Sequence, residues 1–221
     1  MNLDAELLPA VLAWPLIVCY AGGLAYLLRT APWGLVRVNR LEPLFVGAMG
    51  CVGILWSMSA GVQAGLELHL LGATALTLVF GWRLAMIAAS GALAALTVLG
   101  LFDWQAFAVN GLLLAVLPVL LTHWIGRQVY RFLPHNLFVY LFALAFFGAM
   151  LSQAAVMLVS AGLLFGLGAY PPAILLRDYL AMLPLMMFPE GFITGLVMTM
   201  LVVYRPEWVR TFDDRDYIVG K

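Results

Sequence analysis

The sequence predicts an all-α membrane protein: a single bundle of about seven transmembrane helices, N-terminus outside and C-terminus inside. Three observations lead there. Hydrophobic residues make up 65% of the 221 and charged residues only 10%. A soluble domain carries roughly 25% charged residues, so these few cover two polar rims but not the surface of a globule. Apolar runs that approach the length of about 20 residues needed to cross hydrocarbon recur along the chain. The basic residues also fall in alternate gaps between those runs.

The runs cover about residues 7–28, 44–63, 68–82, 84–101, 108–126, 137–168 and 180–204. The first is preceded by Asp4 and Glu6 and by no basic residue. That is not a signal peptide, so Met1 is expected to be the mature N-terminus, and Asn2 is too large to favour removal of the initiator methionine. Ala21 and Ala25 in this run form a small-xxx-small pair that lets another helix approach. The third run is short and is followed, past Arg83, by a stretch rich in Ala and Gly, which suggests a tightly packed hairpin. The sixth is long enough to tilt or to extend past the lipid. Residues 1–204 then form the bundle. Residues 205–221 form a short cytoplasmic tail, the one clearly soluble stretch, anchored at the interface by Trp208.

Seven alternating passes put Arg29, Arg37, Arg40, Arg83, Arg127, Arg131, Arg205, Arg210, Arg215 and Lys221 on one side, which is ten of the eleven basic residues. Only Arg177 joins Asp4, Glu6, Glu67, Asp103 and Asp178 on the other. The positive-inside rule makes the basic face cytoplasmic and the protein a multi-pass inner-membrane one. Overall the 11 basic and 11 acidic residues balance, which gives no field for nucleic acid. Cys19 and Cys51 lie inside apolar runs and read as small packing residues.

This topology brings Met1, the Glu67-Leu68-His69 turn and the Asp103–Asn110 connection to the outer side. An amine, an imidazole, carboxylates and amides can meet there. His69 opens the third run, and imidazole suits nickel, cobalt, copper and zinc. Glu190 is the one carboxylate well inside an apolar run. A buried acid either carries function or bonds a neighbouring helix, and Pro189 and Gly191 on either side of it suggest a break or kink. His135 lies in Pro134-His135-Asn136, where Asn136 is placed to cap the sixth helix, and is otherwise a candidate for partner contact. The methionines of the seventh run suit Cu(I) but equally suit adaptable packing. The chain has no GxxxxGK[ST], HExxH or GxSxG motif, so nothing assigns it a hydrolytic reaction of its own.

Three stretches carry a family likeness. One is His69-Leu70-Leu71-Gly72, continuing through an Ala-containing helix to Phe80-Gly81-Trp82. Another runs from Gln105 to Asn110-Gly111 and on to Leu117-Pro118. The third is Glu190-Gly191-Phe192-Ile193-Thr194. In these the chain resembles the membrane substrate-capture subunits of energy-coupling-factor cobalt and nickel importers, in their divergent proteobacterial branch. The resemblance implies a non-enzymatic protein that captures a divalent transition-metal ion, nickel or cobalt, as substrate at the outer face. It implies partners as well: a membrane coupling subunit and cytosolic ATPases. In the family the ion is held by the N-terminal amine, a histidine at position two and a histidine opening the third helix. The matching positions are Met1, Asn2 and His69; Asn2 departs from the pattern, and Glu67 is a substitute donor. Asn110, Thr194, Glu190 and His135 are further functional candidates. Two other readings stay open: a membrane scaffold that has lost the metal site, and an intramembrane enzyme using Glu190 with His123 or His135.

Overall fold

The computed structural model describes residues 3, 10–38, 40–61 and 66–217. Its helices are α1 (Ala10–Thr30), α2 (Trp33–Val38), α3 (Glu42–Ser57), α4 (Ala73–Phe80), α5 (Trp82–Val98), α6 (Phe107–Phe132), α7 (Leu137–Gly166), α8 (Pro172–Tyr204) and the one-turn α9 (Asp214–Tyr217). The described strands are a two-residue pair, β1 (Ala60–Gly61) and β2 (Glu67–Leu68), antiparallel with Ala60 opposite Leu68. Helices α6, α7 and α8 are long and apolar enough to cross a membrane, and α3 and α5 are shorter apolar helices. Large side chains such as Val18, Phe138 and Phe192 stand exposed on the outside of the bundle. Apolar surface on this scale is a liability in water and is matched by lipid.

Prolines account for the irregular turns in α6 and α8. Pro118 has no N–H to donate and its ring crowds the carbonyl four residues earlier. The helix relieves this with a wider, π-type turn at Leu112–Val116. Before Pro184 the chain widens at Leu175–Tyr179 and then tightens into a 3₁₀ turn at Leu180–Met182. Because α8 winds through both irregular turns, it starts at Pro172, well before the run expected at 180.

The expected helix over 68–82 is the main correction. Only Ala73–Phe80 is helical there, and the residues ahead of it run as β2 and a non-helical connection, with Leu66, His69 and Leu71 all buried. Non-helical backbone inside a bundle is tolerated only where protein supplies its hydrogen bonds, and here it does. Helix α4 sits in the core, with every residue except Ala75 buried. It packs on α5, α6 and α7.

A second correction concerns Pro189-Glu190-Gly191, where a break was expected. The α-helix runs on from Leu183 to Tyr204 without interruption. Gly191 instead marks a close crossing of α7 and α8. A Cβ there would come within 2.6 Å of the Met150 side chain and 2.9 Å of the Phe146 carbonyl oxygen.

The tail is not simply solvated. Val209, Phe212 and Tyr217 are buried. The Arg210 and Thr211 N–H groups donate to the carbonyls of Val79 (3.0 Å) and Leu78 (3.2 Å). The Thr211 hydroxyl adds a second bond to Leu78 O at 2.8 Å and meets the Tyr140 hydroxyl at 2.7 Å. Carbonyls in the last turn of a helix have no intrahelical partner, and the tail supplies one to α4.

Candidate metal centre

His69 follows β2 directly and is only 2% exposed. Its Nδ1 lies 3.1 Å from the carbonyl oxygen of Leu70. A carbonyl only accepts, so Nδ1 carries the proton and Nε2 keeps its lone pair. That Nε2 is buried and has no hydrogen-bond partner among the described residues. A neutral imidazole oriented by a bond on its other nitrogen is the form that ligates a metal.

Three side chains from distant parts of the sequence hold the segment that carries this ring. The Gln153 amide donates to His69 O at 3.3 Å. The Trp56 indole donates to Leu71 O at 3.0 Å. Glu190 accepts from Leu71 N at 2.8 Å and from Gly72 N at 2.9 Å. Gly72 adopts φ 65° at the N-cap of α4, a left-handed conformation that suits glycine. Helix N-termini leave several N–H groups unsatisfied, and in an apolar interior Glu190 takes up two donors at this one. Of the two roles open to Glu190, the observed one is the bond to a neighbouring element. Its carboxylate oxygens are occupied by backbone donors rather than by His123 or His135.

Asn110 is fully buried near the start of α6. It grips Leu3 at both ends: the Leu3 N–H donates to Oδ1 at 2.7 Å, and Nδ2 donates to Leu3 O at 3.1 Å. Leu3 itself is 1% exposed. The chain is therefore drawn into the protein two residues after its start. Met1 and Asn2, the two other expected donors, lie outside the described residues. Glu67 is half-buried on β2, paired with Gly61. Among the described residues no three His, Cys, Asp or Glu side chains gather closely enough to hold a metal ion.

The remaining candidates lie elsewhere. Thr194 is buried one turn after Glu190, and both line an apolar cleft of about 480 Å³ between α3, α4 and α8. His135 stacks on Tyr130 with ring centroids 4.2 Å apart and bonds the Tyr130 carbonyl, far along the chain from His69. Asn136 accepts from Val139 N at 2.8 Å, the expected cap of α7.

Sequence reasoning missed Gln153 and Trp56. It also missed a hydroxyl ladder across α4, α6 and α7, in which Thr122 meets Thr74 at 2.9 Å and Ser152 at 3.1 Å. Gln153 had a usable signal, because a lone amide inside an apolar run needs a partner there. Trp56 had none, because its indole reads as an interface anchor until the segment it holds is seen.

Comparison with known proteins places this arrangement. Residues 2–208 match the family described as CbiM, cobalt uptake substrate-specific transmembrane region. Two solved structures share the fold. A truncated transition metal transporter superposes with a TM-score of 0.76 at 17% identity, covering 92% of this chain and 99% of that one. A transition metal transporter superposes at 0.73 and 18% identity, covering 91% and 92%. No curated protein matches the chain.

Proposed function

Since the chain belongs to the CbiM family of cobalt uptake substrate-specific transmembrane proteins, a transport family rather than a catalytic one, we propose that it captures the ion on His69 Nε2. It is a multi-pass inner-membrane protein, the substrate-capture subunit of a cobalt- or nickel-type transporter. The proposal concerns how it does this. The Met1 amine and Asn2 supply the other donors, with Glu67 in reserve. The observation that carries the reading is the buried Nε2, which has no hydrogen-bond partner among the described residues. A buried polar atom without a partner costs on the order of 1–3 kcal/mol, and a bound cation removes that cost.

The protein's own part in capture is positional. Leu70 O fixes the imidazole tautomer, Glu190 and Trp56 fix the backbone behind it, and Asn110 seats the start of the chain at Leu3. With Asn2 where the family has a second imidazole, coordination rests more heavily on the amine and on harder donors.

We place the bundle as seven alternating passes, with the N-terminus outside and the C-terminus inside. The third pass is the expected segment 68–82, helical over Ala73–Phe80. Residues 205–221 then face the cytoplasm, where a membrane coupling subunit and ATPases provide the energy.

The test is calorimetric titration of untagged protein with cobalt and nickel. His69→Ala should abolish binding, and one extra residue before Met1 should weaken it by displacing the amine. Full affinity in both variants would refute the site and favour a scaffold.

A further inference from the structure

The end of the bundle that carries most of the basic residues holds a pocket of about 560 Å³ between α4, α6, α7 and the tail. Arginines from two elements line it together: Arg127 and Arg131 from α6 and Arg210 from the tail. No carboxylate is among its lining residues, and among the described residues none of the three arginines forms an ion pair. The convergence is built by the fold. Backbone bonds from Arg210 and Thr211 to the end of α4 bring the tail beside α6, and Arg210 also donates to Phe80 O at 3.3 Å. Arg131 lies in the last turn of its helix and compensates the helix dipole. Arg210 likewise meets the last carbonyl of α4, but neither helix end accounts for Arg127, a turn earlier on α6.

Three like charges in one cavity repel a divalent cation, so the pocket is not a second station for the transported metal. Planar guanidinium forks match phosphate oxygens. Leu78 and Leu144 make part of the lining apolar. On the same stretch of α6, Trp124 and Phe132 are exposed as membrane-facing residues are. Basic pockets between transmembrane helices at the cytoplasmic rim bind anionic lipid headgroups. We propose that Arg127, Arg131 and Arg210 bind a phosphate group here, carried on the headgroup of an anionic lipid of the inner leaflet.

The inference does not depend on the metal site, and its test keeps the two apart. The delipidated full-length protein, in neutral detergent, is titrated with phosphatidylglycerol, phosphatidylcholine or inorganic phosphate and followed by native mass spectrometry. Phosphatidylglycerol should bind at least tenfold more tightly than phosphatidylcholine. R127Q/R131Q should lose at least tenfold of that affinity and bind cobalt as the unmodified protein does, which also reports its folding. R127K/R131K keeps the charge and loses the fork, and should fall between the two. Displacement of the lipid by inorganic phosphate would support the site and show that the headgroup alone is read. Phosphate binding without phosphatidylglycerol binding would support the site and assign a soluble source. Failure of both ligands to bind, or equal binding by R127Q/R131Q, would overturn the proposal. So would loss of coupling-subunit association in R127Q/R131Q without any phosphate binding, because the arginines would then face protein carboxylates.

Discussion

Replacing Glu190 with alanine removes the acceptor for two backbone donors inside the bundle, Leu71 N and Gly72 N. Glu190 is 2% exposed, so water does not readily replace it. Leaving a buried donor unpaired costs on the order of 1–3 kcal/mol, so two cost about 2–6 kcal/mol. The cost falls on the segment that holds His69 and not on the metal itself. If the segment must be ordered to bind, about 3 kcal/mol of lost order lowers affinity roughly 100-fold. Cobalt titration of untagged Glu190→Ala should show that loss, together with a lower melting temperature in the absence of cobalt. Glu190→Gln keeps one carbonyl acceptor but turns an amide N–H toward the second donor, and should lie between alanine and the unmodified protein. Added cobalt should recover part of the alanine variant's melting temperature, because binding pulls the ordered state back. Unmodified affinity and melting temperature in Glu190→Ala would refute the argument that this carboxylate positions the histidine.

Asn110→Ala breaks both bonds to Leu3. It should cost about 2–4 kcal/mol of stability in thermal melts and weaken cobalt binding through the start of the chain. Gly191→Val should drive a side chain into Met150 and the Phe146 carbonyl and destabilise the α7–α8 crossing by about 1–3 kcal/mol, read as a shift in the denaturation midpoint.

Composition and charge placement made the membrane bundle legible, because hydrocarbon imposes its rules on every crossing residue. His69, Glu190 and Asn110 were legible for the same reason: a polar side chain in an apolar run needs a partner. What each one bonds was not legible. Glu190 satisfies backbone N–H groups 118 and 119 residues away, and backbone atoms leave no mark in a sequence. The same limit hid the non-helical stretch before α4, since Leu68, Leu70 and Leu71 are residues that suit a helix. The proline before Glu190 pointed to a break, yet the helix absorbs Pro189 and spends Gly191 on a neighbour.

Helix α4 has one further consequence. It is eight residues long, about 12 Å at 1.5 Å per residue, with Glu190 fastened at one tip and the tail fastened at the other. So short a rod has almost no compliance along its axis, so a displacement of Arg210 and Thr211 would arrive nearly undiminished at the backbone that carries His69.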